Sequence, residues 1–149
     1  MADKDRHGGT GAIEAPGSTR DIRNVVLVGH SGSGKTTLVE AMLHASGVIQ
    51  RPGSVTEGTT VTDFDEEEHR QQRSIGLALA PLVHRGVKVN LLDAPGYADF
   101  VGELRAGLRA ADAALFVVAA ADGIDGSTQL LWEECAAVGM PRAIVISRL

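Results

Sequence analysis

The sequence predicts an α/β fold, a three-layer sandwich whose sheet is mostly parallel with one antiparallel hairpin at its edge. Short apolar runs alternate with segments of helical periodicity, as expected for a parallel sheet between helices. Two of the runs, residues 77–84 and 87–93, are joined only by Arg85-Gly86, and so short a link requires antiparallel strands. Aromatic residues make up 3% of the 149-residue chain, so aliphatic side chains must build the core.

The remaining elements follow from apolar patterning. A strand at residues 22–28 precedes a helix at residues 36–46, which Gly47 is placed to end. Residues 48–74 are loop-like, and residues 1–20 are expected to form a disordered tail because they contain little apolar surface. The later predicted elements are a helix at 97–110, a strand at 113–120, a helix at 124–138 and a strand at 142–147. In the helix at 124–138 the side chains expected to be buried are Leu130, Leu131, Cys135 and Val138, and Trp132 is expected to have a packing role.

One stretch carries the clearest chemistry. It reads Gly29-His30-Ser31-Gly32-Ser33-Gly34-Lys35-Thr36 and fits the pattern G-x-x-x-x-G-K-[ST] between a predicted strand and a predicted helix. The glycines allow consecutive N–H groups to turn toward the β- and γ-phosphates of a nucleotide, and the helix N-terminus adds partial positive charge. Lys35 supplies a point charge and the Thr36 hydroxyl a ligand for Mg²⁺. We therefore predict a nucleotide site over residues 29–37, Thr37 included; a glycine-rich turn with an accidental lysine would need a rare chance match.

A carboxylate is expected beside this loop. Asp93 stands at the end of an apolar strand, where a doubly wound sheet presents its ligand groups. It is predicted to hold Mg²⁺ through a water molecule, while Gly96, which has no Cβ, can bring its N–H close to the γ-phosphate. A plain turn would explain Asp-x-x-Gly alone, but its place after an apolar strand downstream of the phosphate loop favours the binding interpretation.

Composition excludes several other functions. The net charge of −5 gives no basic surface for a polyanion, so no direct nucleic-acid site is expected in this chain. Cys135 is the only cysteine, which excludes an internal disulfide and agrees with a reducing cytosol. No apolar run is long enough to cross a membrane. We expect a soluble, cytoplasmic protein with no membrane partner.

Together these residues resemble the G domain of translational GTPases, above all those of the elongation factor G type. The resemblance covers residues 22–149. It depends on the phosphate loop, on Asp63-Phe64 with the acidic run ending Gln72-Arg73-Ser74-Ile75, on Asp93-Ala94-Pro95-Gly96-Tyr97-Ala98-Asp99-Phe100, and on Ala119-Ala120-Ala121-Asp122-Gly123 leading to Gln129 and Trp132. It implies hydrolysis of GTP to GDP and phosphate with Mg²⁺, two switch segments that sense the γ-phosphate, and the ribosome as partner.

Two departures from the family pattern bear on catalysis. Members end switch I with Arg-Gly-Ile-Thr, whereas here the segment is Arg73-Ser74-Ile75-Gly76, and Gly76 has no hydroxyl for Mg²⁺. Members also place a water-orienting histidine directly after Asp-x-Pro-Gly, where this chain has Tyr97. The resemblance thus assigns Gly96 and Tyr97 to the catalytic position. Because a phenol with a pKa of about 10 is a poor proton acceptor, weak or altered hydrolysis is expected.

The end of the chain bears on guanine recognition. Ser147-Arg148-Leu149 matches the first three positions of the family's Asn-Lys-x-Asp motif imperfectly, so the resemblance assigns Ser147 and Arg148 to nucleotide binding. The aspartate position lies beyond Leu149. Residues 21–149 are therefore expected to be the N-terminal part of a G domain without its last strand and helix, and without the further domains that engage the ribosome.

Three functions stay open on this reasoning. The first is a specialised ribosome-associated GTPase, since related members remove drugs from ribosomes, as tetracycline-resistance-type protection factors do, or assist recycling. The second is a non-hydrolysing switch whose GTP-bound state recruits a partner, which Gly76 and Tyr97 favour. The third, an ATPase or kinase, fits the hairpin and the run from Asp93 to Phe100 least well.

Overall fold

The computed structural model describes residues 16–62, 77–94 and 101–149, with side chains from residue 105 onward in the last range. A 3₁₀ turn, Thr19–Asp21, precedes the first strand. Residues 1–15 of the predicted tail lie outside the described residues. The elements are β1 Ile22–Val28, α1 Lys35–Ala45, β2 Ala78–His84, β3 Val87–Asp93, α2 Val101–Ala110, β4 Ala113–Ala119, α3 Gly126–Ala137 and β5 Arg142–Ser147. Residues 48–62 contain neither helix nor strand, as predicted.

The strands form one five-stranded sheet in the order β2-β3-β1-β4-β5. β3, β1, β4 and β5 run parallel, and β2 pairs with β3 antiparallel at the edge. Arg85 and Gly86 make the turn of this hairpin with positive φ angles of 51° and 80°, the conformation of both central residues in the tightest hairpin turns. The predicted fold class is confirmed.

Apolar side chains fill both faces of the sheet. On one face, Leu27 and Val117 pack with Val39 and Leu43 of α1. On the other face, Val26 and Phe116 pack with residues of α2 and α3, among them Leu108, Leu131 and Cys135. Because β1 and β4 are covered on both sides, their sequences are nearly continuous apolar runs rather than alternating ones.

The buried face of α3 differs in part from the prediction, whereas the end of α1 follows it. In α3, Thr128, Leu131, Trp132 and Cys135 occupy positions i, i+3, i+4 and i+7 and share the face toward the sheet. Leu130 and Val138 were expected to be buried but are 56% and 75% exposed. Leu130 precedes Leu131 and points away from that face, whereas Val138 is the C-cap that follows the last helical residue, Ala137. At the end of α1, Gly47 has φ +78°, and its N–H and that of Val48 donate to the carbonyls of His44 and Leu43.

Trp132 has the packing role predicted for it. Its ring meets Phe116 edge to face with centroids 5.1 Å apart, and the Arg142 guanidinium lies 4.4 Å from the centre of the same ring. Such aromatic and cation–π contacts add to the stabilisation from buried area.

Truncating the buried half of this pair is expected to destabilise the domain. Phe116 is 1% exposed, so Phe116→Ala should lower the free energy of unfolding by about 3–5 kcal/mol through lost burial and a cavity. The matched control is Ile124→Ala, which truncates a 66% exposed side chain and should change stability by at most about 0.5 kcal/mol. Urea unfolding followed by fluorescence of Trp132, the one tryptophan of the chain, measures both. Equal losses in the two variants would contradict this packing.

Candidate nucleotide-binding site

The candidate site lies where connections leave the sheet in opposite directions. β1 is the central strand, and its neighbours β3 and β4 both come later in the chain. α1, which follows β1, packs against β2 and β3 on one face, while α2, which follows β3, packs on β1 with the opposite core cluster. Ligands of open α/β sheets bind at such a switch point, outside the carboxyl ends of the strands. Here the phosphate loop follows β1 and Asp93 ends β3.

Three glycines give the phosphate loop its shape. Gly32 and Gly34 have φ angles of +78° and +92°, which other residues rarely adopt. Gly34 is the N-cap of α1, and its carbonyl accepts the first helical hydrogen bond, from Leu38 at 2.9 Å. A Cβ on Gly29 would lie 2.3 Å from the Val117 carbonyl oxygen. The loop therefore packs directly against the backbone of β4, at a distance only glycine permits.

Lys35 lies across the start of the loop. Its ammonium donates to the carbonyls of Gly29 and His30 at 2.9 and 3.0 Å, and the residue is buried. Burial lowers its pKa below the usual lysine value, and the nearby carboxylate of Asp93 partly opposes this shift. The site thus holds a desolvated positive charge next to a glycine-rich backbone, a combination suited to an anionic group.

Thr36 and Asp93 form a pair of oxygen ligands beside the lysine. The Thr36 hydroxyl donates to Asp93 Oδ2 at 2.7 Å, and Asp93 is completely buried. Hydroxyl and carboxylate oxygens suit Mg²⁺, which usually keeps several waters and shares its shell with phosphate oxygens. Among the described residues, no group of three or more His, Cys, Asp or Glu could hold a metal by itself. The donor set therefore fits a magnesium ion completed by nucleotide and water.

The other predicted site residues occupy different surroundings. The Ser147 hydroxyl donates to the Ser33 carbonyl at 2.6 Å, which ties the end of β5 to the phosphate loop. His30 Nδ1 donates to the Ser31 carbonyl at 2.6 Å, and its Nε2 lies 3.4 Å from Asp122 Oδ2.

Thr37 is exposed in the first turn of α1, and Arg148 is exposed with φ +51°. Gly76, Gly96 and Tyr97 lie outside the described residues.

The sequence did not predict a role for Glu40, a buried carboxylate. It is 1% exposed on α1, where Oε2 accepts from the Gly53 N–H at 2.7 Å and Oε1 from the Val61 N–H at 2.6 Å. Both oxygens thereby fix the loop of residues 48–62 to the helix that starts at the phosphate loop. Its one sequence signal is an acidic residue between Val39 and Leu43 on a face otherwise apolar.

Two threonines of that loop are buried at its end. Thr60 is 7% and Thr62 2% exposed, and the Thr62 hydroxyl lies 3.5 Å from Asp93 Oδ2. The loop also closes tightly on itself, since a Cβ on Gly53 would lie 2.3 Å from the Thr59 carbonyl oxygen. Sequence patterning could not reveal this approach to Asp93, because it depends on a loop without regular structure.

A sheet whose central strand leads through a glycine loop into a helix defines the class of phosphate-loop nucleotide-binding domains. Residues 20–149 match the family model described as the elongation factor Tu GTP binding domain, and the chain belongs to that family. Because this family consists of GTP-binding domains, membership implies that the nucleotide is a guanine nucleotide.

Individual relatives agree with the family. The chain is 67% identical over 141 residues to an elongation factor G-like protein of Mycobacterium tuberculosis, covering 93% of this chain and 20% of that protein. It is 37% identical to an oxytetracycline resistance protein of Streptomyces rimosus, covering 85% and 19%. A crystal structure from Thermus thermophilus superposes with a TM-score of 0.82 at 50% identity, covering 86% of this chain and 19% of that one. The resemblance to translation factors of the elongation factor G type is confirmed, and the chain spans about a fifth of the length of these relatives.

The three α-helices of the described residues are short, with 11, 10 and 12 residues. In that part of the chain, no helix has both the length and the apolar character needed for a membrane span.

The Glu40 contacts generate a prediction about the loop. Glu40→Gln keeps the size of the side chain but replaces one acceptor with an NH₂ group, which cannot accept from a backbone N–H. Since a hydrogen bond to a charged group is worth about 1.5–3 kcal/mol, amide exchange in residues 50–62 should accelerate by roughly tenfold or more. Hydrogen–deuterium exchange by mass spectrometry measures this.

Glu57→Gln is the matched control, because Glu57 is an exposed acid of the same loop. It should leave exchange in residues 50–62 unchanged. Unaltered exchange in Glu40→Gln would show that these contacts do not hold the loop.

Proposed function

We propose that this chain is the nucleotide-binding part of a GTPase of the elongation factor G type, which binds GTP with Mg²⁺ and acts with the ribosome through parts of the protein outside this chain. The observation that carries the proposal is the Thr36–Asp93 pair, 2.7 Å apart beside the buried ammonium of Lys35. Family membership and the similarity to an elongation factor G-like protein support the ribosome as the partner.

Each residue of the site then has a role. The backbone N–H groups of residues 30–36 surround the β- and γ-phosphates, and the Lys35 ammonium stabilises their negative charge. Thr36 would hold Mg²⁺ through its hydroxyl and Asp93 would hold it through a water molecule, and the bound ion would neutralise charge on the phosphates. Ser147 fixes the phosphate loop through the Ser33 carbonyl.

The remaining sequence-based assignments complete the proposal. His30, Ser31, Thr37 and Arg148 border the nucleotide, the Gly96 N–H contacts the γ-phosphate, and the Tyr97 hydroxyl orients the attacking water. Residues 21–149 form the first part of the G domain. Phosphoryl transfer depends mainly on positioning and charge stabilisation, so this arrangement supports hydrolysis with a tyrosine in place of a base. Because a phenol accepts a proton poorly near neutral pH, that hydrolysis is slow or altered.

A second function is a GTP-dependent switch that does not hydrolyse the nucleotide. Gly76, which offers no hydroxyl, and Tyr97 together favour it. Ribosome protection of the tetracycline-resistance type is supported less well, because identity to the oxytetracycline resistance protein is 37% against 67% for the elongation factor G-like protein.

Removal of the Lys35 charge tests the binding role. In the full-length protein, Lys35→Ala should weaken binding of a non-hydrolysable GTP analogue by about 100-fold or more, because charge-assisted contacts to phosphate are worth about 1.5–3 kcal/mol each. Titration calorimetry with Mg²⁺ present measures the affinity. Arg51→Ala, which removes an exposed positive charge from the neighbouring loop, should bind as the wild type does. Undiminished binding by Lys35→Ala would contradict the assignment.

Exchange of Tyr97 separates slow hydrolysis from none. Tyr97→His restores a side chain that can both orient water and accept a proton, so phosphate release in a single turnover with ribosomes should rise by about tenfold or more. Tyr97→Phe removes the hydroxyl and should release phosphate more slowly than the wild type. If all three proteins release phosphate no faster than the GTP background, the non-hydrolysing switch is the correct function. If the wild type releases phosphate faster than that background, a rate in Tyr97→His equal to the wild type would refute the role given to Tyr97.

A further inference from the structure

Two hydroxyl groups approach the same carboxylate oxygen in the candidate magnesium site. The Thr36 hydroxyl, from the first turn of α1, lies 2.7 Å from Asp93 Oδ2. The Thr62 hydroxyl, from the loop of residues 48–62, lies 3.5 Å from that oxygen. Segments far apart in the sequence thus bring hydroxyl oxygens to one side of a single acid.

The burial of Thr62 calls for an explanation. The residue is 2% exposed, and removing a hydroxyl from water costs free energy unless a good hydrogen-bond partner replaces the solvent. At 3.5 Å the contact with Asp93 is at the long limit of a hydrogen bond and offsets little of that loss. A hydroxyl at this distance from a carboxylate fits an arrangement in which both oxygens face a common cation better than it fits a direct hydrogen bond.

We propose that Thr62 is the oxygen ligand that the loop contributes to the magnesium site, an inference that rests on the proposed function. The ion prefers six oxygen donors, and Thr36, the nucleotide phosphates and the water molecule held by Asp93 leave positions for more. Gly76, at the position where the family pattern has a threonine, has no side chain to offer. Thr62 supplies a hydroxyl from an earlier part of the same connection between α1 and β2.

The loop is built to hold Thr62 in that place. The Val61 N–H, one residue before Thr62, donates to Glu40 Oε1 at 2.6 Å, and the Val61 side chain packs against the core cluster under α1. The Gly53 N–H donates to the other oxygen of Glu40 at 2.7 Å. Glu40 and Thr36 belong to the same helix, so one rigid element sets the positions of Thr36 and Thr62 together. Glu40 is a positioning residue for the magnesium site, acting through Thr62.

The test uses the full-length protein and measures metal dependence rather than turnover. For each variant, the Mg²⁺ concentration for half-maximal binding of a fluorescent, non-hydrolysable GTP analogue is determined. The dissociation constant of Mn²⁺ from the analogue complex is measured separately by electron paramagnetic resonance. Thr62→Val removes the hydroxyl at constant shape and should raise both values by about tenfold or more. Thr62→Ser keeps the hydroxyl and should remain near the wild type.

The matched control is Thr56→Val, because Thr56 is an exposed threonine of the same loop whose hydroxyl contacts Ser54. It should match the wild type. If Thr62→Val fails to fold, Thr62→Ala against Thr62→Ser gives the same comparison, with metal dependence weakened only in the alanine variant.

Two results would overturn the inference while the proposed function stands. One is a hydroxyl-free variant whose Mg²⁺ and Mn²⁺ dependence equals the wild type. The other is a variant that loses analogue affinity equally with Mg²⁺ and with EDTA, which would mean that Thr62 only packs the loop. If the wild-type protein binds no analogue at any Mg²⁺ concentration, the proposed function fails and this inference fails with it.

Discussion

The close packing of the phosphate loop against the ends of β4 and β5 is the constraint on which the site depends. Gly29 approaches the Val117 carbonyl at a distance that excludes any Cβ, and the Ser147 hydroxyl holds the Ser33 carbonyl. These contacts with two strands support the side of the loop that faces the sheet and keep the loop from collapsing onto it. The positive φ angles of Gly32 and Gly34 then direct the backbone from the loop into α1. A preformed cradle needs little reorganisation when an anion enters.

The charged residues around this loop fit the proposed binding role. Lys35 and Asp93 are both buried, and the pKa of Lys35 is lowered by its desolvation. Desolvation of an ammonium opposes folding, and the carbonyls of Gly29 and His30 together with the carboxylate of Asp93 offset part of that cost. The proposed anionic ligand would interact with the same buried charge. Glu40 extends the same logic to the loop of residues 48–62, since its carboxylate connects that loop to the helix of Lys35 and Thr36. One helix therefore links the phosphate loop, the candidate metal ligands and a segment that closes beside them.

Much of the fold could be predicted from the sequence because its signals are local. The hairpin depends on a two-residue link, the stop after α1 on Gly47, and the glycine loop on a short pattern between strand and helix. The rotation of α3 could not be predicted, because Leu130, Leu131 and Trp132 are consecutive apolar residues and any of several faces would have satisfied the pattern. Within the site, the position of Asp93 could be predicted because the residue ends an apolar strand. The roles of Glu40 and Thr62 could not be predicted, since their contacts join a helix and an irregular loop that no sequence period relates.

The most direct measurement of the central claim is a crystal structure of the full-length protein with a non-hydrolysable GTP analogue and Mg²⁺. The account predicts phosphates ringed by the amides of residues 30–36, the ammonium of Lys35 beside them, and the ion next to Thr36 and Asp93. An analogue bound elsewhere, or a magnesium ion without Thr36 and Asp93 around it, would contradict it.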